Sequence, residues 1–361
     1  MVDKDPLADV RTRIDKIDTT IQQLVSERAE CAAKVAEIKQ QQGETGHFYR
    51  PEREAQVLQS VKERNQGPLT DNAVAGIFRE IMAACLALEK PLQVAFLGPK
   101  GTYTHSASVK HFGSFFKEEP VDNIEEVFRL VEADGADFGV VPIENSTEGM
   151  INHTLDLLMG SSLTIAGEVE LRIRHNLITS ETDLADIKRI YSHQQSLAQC
   201  RLWLDKYLPN TQRIATNSNA EAVQLTKEHE HSAAIAGIAA SELYGVPLLK
   251  SDIEDEPNNT TRFVVIGKHQ SPPSGNDRTS LMVFAHNRPG SLFGLLEPIA
   301  KRNISMSNIE SRPSRKGVWE YVFFIDIDGH REDENVRAAI AEIEKASAMV
   351  TVLGSYPKAV I

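Results

Sequence analysis

The sequence is short of three things. Its only cysteines, Cys31, Cys85 and Cys200, are far apart in 361 residues and form no CxxC, so neither a disulfide framework nor a metal site is implied. No apolar run approaches the roughly 18 residues of a membrane span, and the opening Met-Val-Asp-Lys-Asp-Pro has no signal-peptide pattern. A cytoplasmic protein without a membrane partner is expected. Positive charge is scarce as well: 39 Lys and Arg face 51 Asp and Glu, a net charge of −12. Bulk electrostatics therefore repel nucleic acid and anionic membrane, and any anionic ligand must be held by a local cluster of bases. There is no internal repeat. What is present, 41% hydrophobic and 25% charged residues, is the composition of a globular protein, and at about 150 residues per domain the length suggests two or three domains.

The texture changes along the chain. Residues 1–91 show only helical periodicity. Residues 92–268 alternate short apolar strands (93–97, 138–142, 189–193, 233–236 and 262–267) with amphipathic helices, the pattern of an α/β domain with a largely parallel sheet. Residues 269–279 are rich in Pro, Gly and Ser and read as a linker. Over 280–361 the order is strand (280–285), helix (291–301), strand (305–311), strand (319–327), helix (332–346) and strand (350–353), a ferredoxin-like α+β sandwich.

Leu7, Val10, Ile14, Ile17, Ile21, Leu24, Arg28, Cys31, Val35 and Ile38 recur at alternating spacings of three and four, which predicts one long helix packed along its length against others. Arg28 alone breaks the stripe. A buried unpaired charge is costly, so an anion should meet it, either a ligand or a glutamate that fixes register; a snorkelling arginine satisfies the pattern too. Lys39 lies three turns on, nearly on the same face. Arg11 is about 25 Å from Arg28 along a helix, so the two can share a small ligand only if Arg11 comes from an antiparallel partner chain. A second helix opens at Pro51 and carries Arg53 and Glu54; a third follows Thr70. Three helices with one so long cannot close a monomeric core, so a homodimer or higher homo-oligomer is expected.

The segments Leu7-Ala-Asp-Val-Arg11, Ser26-Glu-Arg28, Ile38-Lys39 and Pro51-Glu-Arg53-Glu54 resemble the all-helical chorismate mutases, in which an intertwined dimer binds a dicarboxylate between cationic side chains. The resemblance implies that Arg11 (from the partner), Arg28 and Arg53 hold the carboxylates. It places Lys39 at the ether oxygen of the breaking bond and Glu54 at the substrate hydroxyl. Where a glutamine faces that oxygen in a bacterial example, this chain has Glu89, which fits as a neutral acid; Arg50 stands where an aspartate is expected. A pericyclic rearrangement needs no nucleophile or base, only a folded conformer and positive charge where the oxygen becomes enolate-like.

In the middle segment, Val94-Ala-Phe-Leu-Gly-Pro-Lys-Gly101-Thr-Tyr-Thr-His-Ser106 runs a strand into a Gly-rich turn and a hydroxyl-rich helix start, which presents backbone N–H groups to an anion. It lacks Walker spacing. Val140-Val-Pro-Ile-Glu-Asn145-Ser-Thr-Glu-Gly149 ends a strand in polar residues at the edge where open α/β sheets bind ligands; Ser146 and Thr147 equally read as helix caps. Asn259-Thr-Thr-Arg-Phe263 feeds the last strand. Together these resemble the prephenate dehydratases over essentially all of 92–268. That family has two α/β lobes around a cleft, like a periplasmic binding protein, and removes water and carbon dioxide from prephenate to give phenylpyruvate. The resemblance implies Thr261 at the leaving hydroxyl as proton donor or relay. It puts Thr102, Asn145 and Ser146 at carboxylate or hydroxyl groups, Arg262 and Phe263 beside them, and Gln195 and Gln199 on the opposite lobe. A threonine is a weak acid, so that role requires a polarising neighbour. His105 and His193 lie in the same motifs, as an acid or in stacking and capping roles. His229-Glu-His231 reads as a solvated face.

Asn287-Arg-Pro-Gly290-Ser-Leu-Phe-Gly294 and Glu310-Ser-Arg-Pro313 follow the first and end the second strand of the last segment. A glycine before a helix lets a carboxylate approach its positive end; alone it is a plain turn. Both motifs resemble the phenylalanine-sensing ACT module, implying a phenylalanine site formed by Asn287, Gly290, Ser291, Leu292, Glu310, Ser311, Arg312 and Pro313 across an ACT dimer. The combined expectation is multidomain: an all-α intertwined chorismate mutase domain, a two-lobed periplasmic-binding-protein-like dehydratase and a ferredoxin-like ACT domain. Its substrates would be chorismate and prephenate and its effector phenylalanine, with no metal or organic cofactor. Two other readings stay open: a non-catalytic amino-acid sensor on a dimerising stalk, and a dehydratase whose mutase site is dead.

Overall fold

The computed structural model describes residues 6–41, 49–286, 288–313 and 321–361. Asn287 and the first two residues of the strand expected over 319–327 lie outside them. Three helices open the chain: α1 (Pro6–Gln41), α2 (Pro51–Arg64) and α3 (Asp71–Ala87). Pro51 starts α2 with Glu52 and Glu54 in its first turn, where negative charge meets the positive helix end. Thr70 caps α3 by accepting from the Ala73 N–H. The stripe of α1 stays bare in the single chain: Leu7, Val10, Ile14, Ile17, Ile21, Leu24, Val35 and Ile38 are 48–58% exposed.

The first lobe of the middle segment contains β1 (Gln93–Leu97), α4 (Tyr103–Phe112), β2 (Lys117–Val121), α5 (Ile124–Glu132), β3 (Phe138–Asn145), β4 (Gly149–Met150), α6 (Asn152–Gly160) and β5 (Thr164–Arg172). The second contains β6 (Asn176–Ile178), β7 (Arg189–His193), α7 (Gln194–Gln199), α8 (Arg201–Tyr207), β8 (Gln212–Thr216), α9 (Asn219–Thr226), β9 (Ser232–Ala236), α10 (Ile238–Tyr244) and β10 (Leu248–Lys250). The chain then returns to the first lobe as β11 (Thr260–Gly267). The sheets run β2-β1-β3-β11-β5, with β4 on β3, and β10-β6-β9-β7-β8. The largely parallel sheet expected here is corrected to two mixed sheets. Crossing to the second lobe and back lays β11 antiparallel between β3 and β5. In the second lobe β6 and β10 likewise pair antiparallel.

The last segment contains β12 (Asp277–Phe284), α11 (Ser291–Lys301), β13 (Met306–Pro313), β14 (Tyr321–Asp328), α12 (Glu334–Ala346) and β15 (Met349–Pro357), in the antiparallel order β13-β14-β12-β15. One face of this sheet packs its two helices through Leu281, Leu295, Ile299, Ile325 and Ile343. The other face places Met282, Val322, Phe324, Leu353 and Tyr356 in one core with Val127, Val141, Leu155 and Ile165 of the first lobe. The expected linker over 269–279 is packed rather than loose. The Ser271 hydroxyl donates to the Ala166 carbonyl at 3.3 Å, its own carbonyl lies 2.9 Å from His330 Nε2, and β12 already begins at Asp277. Among the described residues no helix is long and apolar enough to cross a membrane.

The two layers approach closely at Gly354, where a Cβ would collide with the Ile165 carbonyl oxygen. Backbone cannot yield there as a flexible side chain would. Gly354→Val is therefore expected to cost about 3 kcal/mol, the upper range for overpacked sites, read as a lowered midpoint in urea denaturation; an unchanged midpoint would contradict this packing.

Candidate active sites

The two lobes face each other across a cleft of about 810 Å³. Its floor is the antiparallel pair Thr261 and Asn145, at the ends of β11 and β3. Side chains alternate along a strand. Thr261 and Phe263 both line the cleft, and Arg262 between them faces the opposite way.

Asn145 is buried, and its amide orientation is settled by its partners. Its Oδ1 accepts from the Thr147 and Glu148 backbone N–H groups at 3.1 and 3.2 Å and from the Thr147 hydroxyl at 2.6 Å. A backbone N–H can only donate, so the other end of the amide is the NH2 group. That group donates to Asn259 Oδ1 and to Thr261 Oγ1, each at 2.8 Å. Thr261 thus accepts from Asn145 with its oxygen and keeps its own O–H to give. The Asn145 amide thereby polarises the Thr261 hydroxyl.

A second chain of hydrogen bonds crosses between the lobes. Gln199 Nε2 donates to the Glu148 carboxylate at 3.0 Å, so Gln199 Oε1 is the acceptor for Asn259 Nδ2 at 3.2 Å and for His175 Nε2 at 2.8 Å. His175 Nδ1 lies 2.9 Å from the Tyr103 hydroxyl. Burial holds the His175 pKa below its ordinary value, against the raising effect of Gln199 and Glu254, which favours the neutral ring. Sequence reasoning passed over His175, Tyr103 and Asn259 as site residues. Tyr103 and Asn259 stood inside the motifs, whereas His175 lies in the 173–175 crossover, where no periodicity marks it.

Gln195 lines the far wall. His193 caps α7 by accepting from the Gln195 N–H at 3.4 Å, and His105 stacks on Phe96 with ring centroids 5.0 Å apart. Thr102 borders the cleft, but its hydroxyl donates to the Leu97 carbonyl at 3.1 Å and caps α4 at the His105 N–H. Two expectations are corrected. Ser146 does not line the cleft; its hydroxyl accepts from the Thr260 N–H at 2.9 Å beside the start of β11. Arg262 does not reach the cleft either, because strand alternation turns it toward Glu168 and Asp326. No lysine or arginine is among the described residues lining the cleft; the first turns of α4 and α9, capped by Thr102 and Ser218, border it instead.

In the helical module, Lys39 lies close enough for its charge to act on half-buried Glu89. Burial raises the Glu89 pKa and Lys39 opposes the rise. Arg28 is half-buried on the same helix as Lys39, while Arg11, Arg50 and Arg53 are exposed. Glu54 is not brought to this group, a correction to the expected set. It is half-buried beside the first lobe, where it accepts from Arg79 Nε at 3.1 Å, and Arg79 Nη1 donates to the Lys110 carbonyl at 2.5 Å. Beside them the Tyr49 hydroxyl meets His111 Nε2 at 3.1 Å, and burial, reinforced by the Arg79 charge, pulls the His111 pKa down to about 3.

In the last segment a hollow of about 270 Å³ is lined by Gly290, Ser291, Leu292, Arg288, Tyr321 and Phe323, among others. Gly290 precedes α11 with φ +82°, a left-handed conformation that favours glycine. Glu310, Ser311, Arg312 and Pro313 do not line this hollow within one chain; they sit on β13, where Arg312 Nη2 donates to Asp156 of α6 at 2.6 Å.

A helical module, a two-lobed cleft and an ACT-type sandwich define a multidomain fusion, and family models agree: chorismate mutase type II matches residues 10–90, prephenate dehydratase 94–271 and the ACT domain 279–345. A bifunctional chorismate mutase/prephenate dehydratase of Pseudomonas aeruginosa is 51% identical over 365 residues and covers 100% of both chains. One of the same name from Escherichia coli is 31% identical, covering 99% of this chain and 97% of its own. A solved prephenate dehydratase of Arthrobacter aurescens, in complex with L-Phe, matches with a TM-score of 0.68 at 35% identity, covering 74% of this chain and 90% of that one. The chain belongs to the family of bifunctional chorismate mutase/prephenate dehydratases.

Proposed function

We propose that this cytoplasmic chain rearranges chorismate to prephenate in its helical module, converts prephenate to phenylpyruvate in the cleft, and is inhibited by phenylalanine at the ACT hollow. The direction of the Asn145–Thr261 hydrogen bond carries the dehydratase reading. With Asn145 donating to the Thr261 oxygen, the threonine O–H is left to pass a proton to the leaving hydroxyl, which departs as water, and solvent in the open cleft returns that proton to Thr261. The electron pair of the bond to the ring carboxylate moves into the ring, carbon dioxide leaves, and aromatisation drives the step. Gln195 and Gln199 meet the substrate from the second lobe.

In the mutase, Arg28 and Arg53 hold the dicarboxylate with the partner subunit's Arg11, which the bare α1 stripe supports, and Lys39 meets the ether oxygen. A second copy buries that stripe in an intertwined dimer, the arrangement that also carries Arg11 across the distance one helix cannot close. Glu89 acts as a neutral hydrogen-bond donor to the ether oxygen.

The purified chain should consume chorismate and release phenylpyruvate, with the second step suppressed by phenylalanine. Thr261→Ala should lower dehydration by about 10²- to 10⁴-fold while chorismate turnover persists; a full dehydration rate would remove Thr261 from the mechanism. A carboxyl with a raised pKa is neutral below that pKa and ionises as pH rises through it, so chorismate turnover should fall as pH rises above the ordinary carboxylate range. Glu89→Gln should flatten that profile, and a wild-type rate independent of pH would sink the neutral-donor role. Ile17→Asp with Ile21→Asp should shift sedimentation from dimer to monomer and abolish chorismate turnover; an unchanged dimer would reject the α1 interface.

A further inference from the structure

Arg262 follows Thr261 directly, is buried, and spends its guanidinium on the far side of the sheet from the cleft. Nε donates to Glu168 of β5 at 2.9 Å, Nη1 to Asp326 of β14 at 2.6 Å, and Nη2 to the Tyr356 hydroxyl of β15 at 2.9 Å. Nη1 also lies 3.6 Å from the carboxylate of Glu144, the residue before Asn145. Both members of the Asn145–Thr261 pair therefore have their chain neighbour in this one cluster. Ser280 of β12 binds Asp326 and, at 2.7 Å, the Tyr356 hydroxyl, and Arg278 pairs with Glu168 from the same strand. Burial alone would lower the Arg262 pKa, but Tyr356, Asp326 and Glu168 outweigh it and hold the group charged.

A planar guanidinium with every nitrogen engaged cannot shift toward one partner without losing another. Two of its partners, Glu168 and Glu144, belong to the first lobe and two, Asp326 and Tyr356, to the ACT sheet. The path onward is short: β14 carries Tyr321 and Phe323 on the effector hollow and Asp326 three residues beyond, a span of about 10 Å along a strand.

We propose that Arg262 is a positioning residue that joins the catalytic strand to the ACT sheet, so that a change at the effector hollow reaches Thr261 along β14 through Asp326. Arg262 does not touch substrate. The inference rests on the reading of the hollow as a phenylalanine site and of the cleft as the dehydratase.

The test compares the full-length chain with Asp326→Asn and with the milder Tyr356→Phe. Prephenate dehydration is followed against phenylalanine concentration, and phenylalanine binding is measured by calorimetry. In Asp326→Asn, binding should stay within about threefold of wild type, while the half-inhibiting concentration rises at least tenfold or maximal inhibition falls below half that of wild type. Tyr356→Phe should move in the same direction by a smaller factor. Half-inhibiting concentration and inhibition depth do not depend on the fraction of folded chain, so a merely structural role would leave them unmoved in the activity that survives. Wild type inhibited and both variants inhibited identically would overturn the inference alone. Phenylalanine binding lost together with inhibition would also overturn it, since the cluster would then shape the effector site itself. A wild-type chain that neither binds nor responds to phenylalanine would remove the effector reading, and the inference with it.

Discussion

The return of the chain to the middle of the first sheet as β11 is the constraint on which the rest of the molecule depends. Every position of β11 after the first is buried, because both faces of the strand are covered: Phe263 and Val265 pack with α4 beside the cleft, and Val264 and Ile266 pack with α5, α6 and the ACT sheet. Such a strand reads as the near-continuous apolar run Phe263-Val-Val-Ile266. To place it there the chain must leave the first lobe at 173–175 and come back at 251–259. Those two crossovers create the cleft and leave the lobes joined only through them and through contacts such as Gln199 with Glu148. One strand therefore supplies the floor of the cleft and part of the platform for the ACT sheet.

The seams between modules share a design. Each is an apolar layer pierced by an arginine held on a carboxylate: Arg262 with Glu168 and Asp326 between the first lobe and the ACT sheet, and Arg79, paired with Glu54 inside the helical module, reaching the Lys110 carbonyl of the first lobe. A buried ion pair adds little over apolar packing of equal volume, yet removing one partner costs about 3–5 kcal/mol because the other charge is left stranded. Such pairs penalise a misplaced interface more than they reward the right one, which fixes the orientation of sheets that apolar contacts alone would let slide. The C-terminal tail belongs to the same arrangement, since Lys62 of α2 donates to the Val360 carbonyl at 2.8 Å.

Much of this was legible in the sequence, and what was missed has physical reasons. The βαββαβ order of the last segment followed from clean alternation of apolar runs. Asn145 and Thr261 stood out because polar residues at the end of an apolar strand have to face something. The direction of Arg262 was within reach as well: if Thr261 and Phe263 share the cleft, alternation sends Arg262 to the other face, and treating the three as one motif hid that. The Lys117-Glu-Glu-Pro-Val121 strand was unreadable because an edge strand carries charge and proline that an interior strand would not tolerate. Glu54 was misplaced for a different cause. A short amphipathic helix does not announce which neighbour its polar face will meet, and here the neighbour is Arg79 of α3, which itself donates to the Lys110 carbonyl of the first lobe.

On the functions proposed above, the two candidate catalytic sites would handle anionic substrates in opposite ways, for a chemical reason. A mutase site lined by Arg28, Lys39 and Arg53 keeps both carboxylates of its substrate through the reaction, so fixed cations cost nothing in the transition state and gain strength where the ether oxygen becomes negative. In the cleft one carboxylate has to lose its charge as carbon dioxide. A guanidinium clamped on that group would stabilise the substrate more than the transition state, which slows rather than speeds the step. Neutral amides, a hydroxyl and the first turns of α4 and α9 bind a carboxylate less tightly and allow its charge to drain into the ring. The turning of Arg262 away from the cleft and into the ACT seam keeps a full charge out of the cleft and ties the strand that carries Thr261 to the ACT sheet.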